Sequence, residues 1–136
     1  MDVNVWTDGA CQSGVGGYGY VVMYSGNVIA KGGGRCNTTN QRMEIEAVIG
    51  AIKCIIENKL TDERITVFSD SKYVVNTIME CWNRNANVDL WDVLYGMLSK
   101  IGNIRFVWVK GHSTNKYNNI CDKIATNEVK RLKSKM

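Results

Sequence analysis

The sequence predicts an α/β fold built on a mixed five-stranded sheet, three antiparallel strands followed by two parallel ones, with helices on both faces. Three observations lead there. Strand-like and helix-like stretches alternate in the order β-β-β-α-β-α-α-β-α. The first three strands are separated by short glycine-containing turns, which permit only antiparallel neighbours. The later strand–helix–strand steps leave room for right-handed crossovers between parallel strands.

The elements follow in chain order. Val3-Asn4-Val5-Trp6-Thr7 is rich in strand formers. Gly9 to Gly17, with four glycines in nine positions, reads as a turn. Tyr18 to Tyr24 is a second strand, and Ser25-Gly26-Asn27 turns it into a third over Val28 to Lys31. Gly32-Gly33-Gly34 then ends that strand or puts a bulge in it. Asn40 is placed to cap a helix, in which Met43, Ala47, Val48, Ala51, Ile52 and Ile55 recur at three- and four-residue steps. Ile65 to Phe68 is a short buried strand. Ser69 or Asp70 can cap the next helix, which carries Tyr73, Val74, Thr77 and Ile78. Asp89 to Ile101 has a helical apolar pattern, Ile104 to Val109 is the last strand, and a helix starts at about Asn118.

The 136 residues fit one domain, 1–136, without proline, repeats or a low-complexity linker. No apolar run approaches the ~18 residues of a membrane span. The N-terminus has neither a basic n-region nor an apolar h-region, so an intracellular protein is expected; a monomer is the expected state. Five irregularly spaced cysteines without a C-x-x-C pair argue against a disulfide framework or a zinc site. The net charge is +4, with Lys130, Arg131, Lys133 and Lys135 crowded near the C-terminus. That cluster suits a polyanionic partner, or equally a solvated helix end complementing its dipole.

Four acids stand at strand ends or on helices beside them. Asp8 follows the first strand, Asp70 the fourth; Glu44 lies one turn into the long helix and Asp122 near the start of the last. If the first and fourth strands are neighbours, Asp8 and Asp70 meet near one sheet edge, where open α/β sheets place their sites. Converging carboxylates repel unless protonated or bridged by metal, and an all-oxygen set suits Mg²⁺ or Mn²⁺ better than zinc. Asp8 or Asp70 taken alone is usually a turn residue or helix cap. Glu46, Asp62, Glu63, Asp89 and Asp92 read as solvated or capping acids.

The local wording is more specific than the counts. Thr7-Asp8-Gly9, Thr39-Asn40-Gln41-Arg42-Met43-Glu44, Ser69-Asp70-Ser71-Lys72-Tyr73-Val74, Asn87-Val88-Asp89-Leu90-Trp91 and Trp108-Val109-Lys110-Gly111-His112 occur in that order, with Asp122 ten residues beyond His112. From about Val3 to Glu128 the chain resembles the type 1 ribonucleases H. The resemblance implies the ribonuclease H-like fold and an endonuclease that cuts the RNA strand of RNA–DNA hybrids by a two-metal-ion mechanism. It implies 5′-phosphate and 3′-hydroxyl products. Asp8, Glu44, Asp70 and Asp122 would bind two Mg²⁺ ions, with Mn²⁺ as the alternative. His112 would match the flexible-loop histidine that assists proton handling or product release; otherwise it is a surface or core residue. Cys11, Asn40 and Gln41 would contact the hybrid, and Thr39 would match the DNA-phosphate pocket. Asn40 and Gln41 as plain capping residues remain the alternative.

Two departures accompany the resemblance. Between the helices after Asp70 stands only Trp82-Asn83-Arg84-Asn85-Ala86-Asn87, where many relatives carry a basic, Trp-containing protrusion, and Cys81 falls at the position of their DNA-channel tryptophan. Weaker, more salt-sensitive binding is therefore expected, unless Lys130 to Lys135 compensates. The segment after Asp8 is also shorter than the family's loop and lacks its Asn-Pro. Two rival functions share the fold or the surface. A DNA-directed nuclease would cleave duplex DNA, against the Asn40-to-Glu44 string. A non-enzymatic hybrid-binding module would bind without metal, and it gains nothing from clustered acids.

Overall fold

Strand β1 (Asp2–Gln12) and β2 (Val15–Tyr24) form one long hairpin, and β3 (Asn27–Arg35) extends it by a second. Both hairpin turns have two residues, Ser13-Gly14 and Ser25-Gly26, all four with positive φ. Such left-handed pairs match the natural twist of the flanking strands, which is why glycine stands second in each. In this computed structural model, which describes residues 1–80, 85–111 and 115–136, the remaining elements are α1 (Asn40–Glu57), β4 (Arg64–Ser69), α2 (Lys72–Met79), α3 (Val88–Leu98), β5 (Asn103–Trp108) and α4 (Lys116–Lys133).

The strand order is β3-β2-β1-β4-β5. The β1–β2 and β2–β3 pairs are antiparallel; β1–β4 and β4–β5 are parallel. The predicted mixed sheet and element order are therefore observed. Because side chains alternate across a strand, the sheet feeds two separate cores. Val3, Val5, Val22 and Val67 face α1, α2 and α3, where they pack with Ile45, Val48, Ile52 and Leu94. Trp6 and Val21 face the other way, against Cys121 of α4. The Cys121 thiol donates to the Trp6 carbonyl at 3.2 Å, and the Trp6 ring stacks on Phe68 with centroids 5.3 Å apart.

Several expectations need correction. Gly9 to Gly17 is mostly strand, since β1 runs to Gln12 and β2 starts at Val15. The glycines are there for close approach. A Cβ on Gly17 would run into the Ala125 carbonyl of α4. The Gly32-Gly33-Gly34 run neither ends β3 nor bulges it, for these residues pair in register with Gly19, Tyr18 and Gly17. Their missing side chains leave room for Ile124, the Tyr18 ring and Leu132.

Caps also differ. Thr39, not Asn40, caps α1, its hydroxyl accepting from the Arg42 amide at 3.2 Å. Ser71, rather than Ser69 or Asp70, caps α2 by accepting from Val74 N. Where cap-competent residues are adjacent, the one with extended backbone and its hydroxyl in reach of the third helical amide takes the role. Helix α4 begins two residues early because Asn115 accepts from the Tyr117 and Asn118 amides. Helix α3 stops at Leu98, short of Ile101, and β5 ends at Trp108.

Glu46 is neither solvated nor capping. It is buried and ion-paired to Arg35, because α1 lies over β2 as well as β1. Asp89 is tied to Arg42 by two hydrogen bonds of 3.0 and 2.7 Å, which hold its carboxyl down at about 2 and bind α3 to α1.

Candidate active site

The site grows out of the sheet. Thr7 pairs with Ser69 across the parallel β1–β4 ladder, so Asp8 and Asp70 are the next residues out of adjacent strands. Asp8 still lies within β1, paired with Gly19. Asp70 sits between the end of β4 and the cap of α2.

Glu44 reaches the pair because Gly9 has no side chain. A Cβ there would lie 2.6 Å from the Glu44 amide nitrogen and 2.7 Å from the Met43 carbonyl carbon. Both are backbone atoms of α1, so Gly9→Ala must push the helix off the strand. We expect that substitution to cost about 1–3 kcal/mol in thermal melts and to weaken divalent-cation binding in calorimetric titration. An unchanged melting temperature would show that α1 can yield without penalty.

Oxygens of Asp8, Glu44 and Asp70 all lie within 4.8 Å of one another. From the opposite side of the sheet, α4 brings Asp122 within hydrogen-bonding reach of Asp8. Asp8 and Glu44 are buried, Asp70 is half-buried, and Asp122 is exposed at the mouth. Burial, followed by the charges of Asp70 and Asp122, pushes the Asp8 carboxyl up to about 8, although the Gly9 amide donates to it at 2.9 Å. Burial and then Asp8 and Asp70 push Glu44 well above the ordinary carboxylate range. Among the described residues Glu44 Oε2 has no hydrogen-bond partner. A buried, crowded, all-oxygen set with an unsatisfied acceptor fits a hard divalent cation.

The surrounding side chains brace this set. Trp108 Nε1 donates to the Asp70 carbonyl at 3.0 Å, and Lys72 Nζ lies 4.9 Å from the Trp108 ring centroid. Gly111 passes so close that a Cβ on it would stand 3.0 Å from Asp70 Oδ2. His112 lies outside the described residues, as do Cys81, Trp82, Asn83 and Arg84.

Asn118 escaped the sequence reading. It is 2% exposed, its Oδ1 has no partner among the described residues, and it lines a cleft of about 20 Å³ with Asp8, Asp70, Asn119 and Asp122. The available signal was spacing, since Asn118 stands one helical turn before Asp122 on the same face. Of the residues expected to touch the hybrid, Thr39, Asn40 and Gln41 stand at the start of α1, three to five residues before Glu44, and Cys11 lies near the end of β1. Cys11 is half-buried and its thiol donates to the Thr38 carbonyl at 3.5 Å, joining the hairpin to the start of α1. Thr39 is spent on the helix cap, which leaves the exposed Asn40 and Gln41 amides out of that role. A larger concavity, about 390 Å³, is elsewhere, at the opposite end of the parallel strands, where Arg64 already pairs with Asp2.

The family model described as RNase H matches residues 1–130. The chain belongs to the RNase H family. A Ribonuclease H of Acetivibrio thermocellus is 40% identical over 149 aligned positions, covering 98% of each chain. The N-terminal RNase H domain of a Mycobacterium tuberculosis protein superposes with a TM-score of 0.86 at 22% identity, covering 98% of this chain and 97% of that one. LC11-RNase H1, solved in complex with RNA/DNA hybrid, gives a TM-score of 0.82 at 19% identity, over 96% of this chain and 98% of that one. This ribonuclease H is thus an enzyme of a metal-dependent family, and its acidic cluster is the candidate metal centre. Among its described residues no helix is long and apolar enough to cross a membrane.

Proposed function

We propose that this chain is an endoribonuclease that hydrolyses the RNA strand of RNA–DNA hybrids and leaves 5′-phosphate and 3′-hydroxyl ends. One observation carries the reading: Asp8, Glu44 and Asp70 converge within 4.8 Å, with Asp122 against Asp8. The hybrid held by LC11-RNase H1 on the same fold supports the substrate. Two Mg²⁺ ions, or Mn²⁺ in their place, would be held by these four carboxylates, Glu44 serving one and Asp122 the other. Bound there, such ions supply an acidified water for in-line attack and neutralise charge at the leaving oxygen.

The chain's own groups do the rest. Asp8 lies within 4.8 Å of Glu44 and Asp70 and within hydrogen-bonding reach of Asp122, which makes it the centre of the set. Cys11, Asn40 and Gln41 read the RNA strand, the amides being able both to donate to and to accept from a 2′-hydroxyl. The 2′-hydroxyl is a recognition handle and not the nucleophile. Thr39 lies toward the DNA strand, and His112 handles protons at the mouth. The protein works inside the cell as a monomer with residues 1–136 as one unit.

Product ends test the chemistry. Fragments from a 5′-labelled RNA in a hybrid should be extended by a polymerase without prior phosphatase treatment, as a 3′-hydroxyl requires. Fragments ending in 2′,3′-cyclic phosphate would mean that the 2′-hydroxyl attacks, which overturns the mechanism.

A further inference from the structure

One face of α4 carries Asn118, Asp122, Thr126 and Lys130 at four-residue steps, so the four side chains form a single stripe. The first two line the carboxylate cleft. The last two line an adjoining groove of about 340 Å³, whose other wall is Ala10, Cys11 and Gln12 of β1. Asp8, Ala10 and Gln12 likewise continue one another along the same face of β1. Groove and cleft therefore follow one another along the same faces of β1 and α4.

The chemistry of the groove suits a sugar–phosphate chain. Ala10 and the buried Val129 make an apolar floor, and the Thr126 hydroxyl is turned back to the carbonyls of Asp122 and Lys123 at 3.0 and 3.2 Å. Lys130 is the cation left facing the groove. Among the described residues it forms no ion pair, whereas the neighbouring Arg131 is held by Glu128 at 2.7 Å. Gln12 is exposed on the opposite lip and can both donate and accept. Lys130 stands eight helical steps beyond Asp122, an axial distance of about 12 Å, or about two to four nucleotides of a bound strand.

We propose that this groove is a subsite for the RNA strand, in which Lys130 binds a phosphate about two to four nucleotides from the cleaved bond and Gln12 faces the adjoining sugar. The inference rests on the hybrid-cleaving function proposed above. It assigns to Lys130 alone, out of the basic C-terminal cluster, a place on the substrate path.

Steady-state cleavage of a hybrid by the full chain tests it, with wild type, Lys130→Gln, Lys130→Arg and Lys53→Gln compared across a salt series. Lys53→Gln removes the same charge from the exposed side of α1 and serves as the control. Lys130→Gln should raise KM about three- to tenfold, more than it lowers kcat, and reduce the slope of log(kcat/KM) against log[salt] by about one. Lys130→Arg should restore both. The gap between wild type and Lys130→Gln should close on hybrids whose RNA is shortened, from one end only, to within two nucleotides of the cleaved bond. Equal KM and equal slopes for wild type and Lys130→Gln, with wild type cutting normally, would overturn the subsite. A gap that persists on RNA shortened from either end would also overturn it. Failure of wild type to cut any hybrid would instead refute the underlying function.

Discussion

Asp70→Asn is expected to fold, to bind hybrid at least as well as wild type, and to lose cleavage by at least about 10³-fold in kcat. The amide keeps the shape of the side chain between the end of β4 and the cap of α2, and Ser71 rather than Asp70 supplies that cap. What disappears is one of three carboxylates that share a 4.8 Å cluster. Hybrid affinity should not suffer, because a negative charge near phosphates has been removed and the proposed RNA contacts at Cys11, Asn40 and Gln41 are untouched. Single-turnover cleavage with enzyme in excess, together with a binding isotherm, separates the two effects. Full activity in this variant would refute the assignment of Asp70; loss of folding by circular dichroism would show that its role is structural.

The second large effect is on stability. Burial, Asp70 and Asp122 hold the Asp8 carboxyl at about 8, far above its ordinary value. The folded metal-free protein therefore binds this proton more tightly than the unfolded chain does. The resulting stabilisation is fully present below about pH 4 and is lost as pH rises toward 8. Glu44 shifts in the same direction and adds to the loss. Asp8→Asn removes the ionisable group, so at pH 8 without divalent cations it should be more stable than wild type by about 1–3 kcal/mol, or several degrees in Tm. At pH 4 the difference should shrink to nearly nothing. Added Mg²⁺ should reverse the order, raising the Tm of wild type more than that of the variant. Melts at both pH values, with and without Mg²⁺, check all three statements. A wild-type Tm independent of both pH and Mg²⁺ would mean that the cluster is not electrostatically strained.

Much of this architecture was legible because it rests on periodicity. The strand formers of Val3 to Thr7 and Tyr18 to Tyr24 do form strands, and the residues at three- and four-residue steps from Met43 to Ile55 are all buried, as the pattern requires. The glycines were misread for a physical reason. A turn and a helix pressed onto a strand both demand the absence of a Cβ, and only the fold decides that Gly14 serves the first need and Gly9 and Gly17 the second. The same ambiguity hid how Glu44 reaches Asp8, since the contact depends on Gly9 and not on any spacing. Asp8 and Asp70 were easier, for adjacent parallel strands bring their next residues together almost automatically. Asn118 marked only the start of a helix, and Glu46 read as a solvated or capping acid. They are buried because α4 closes over the cleft and α1 spans two strands, which are tertiary facts with no local signature.

The most direct test of the central claim is a gel assay of end-labelled RNA presented in four ways: in a hybrid with DNA, single-stranded, in duplex RNA, and in the hybrid with EDTA. Cutting confined to the hybrid and abolished by EDTA is the predicted result. Cutting of the hybrid that persists in EDTA, or tight hybrid binding with no cutting under any condition, would contradict it.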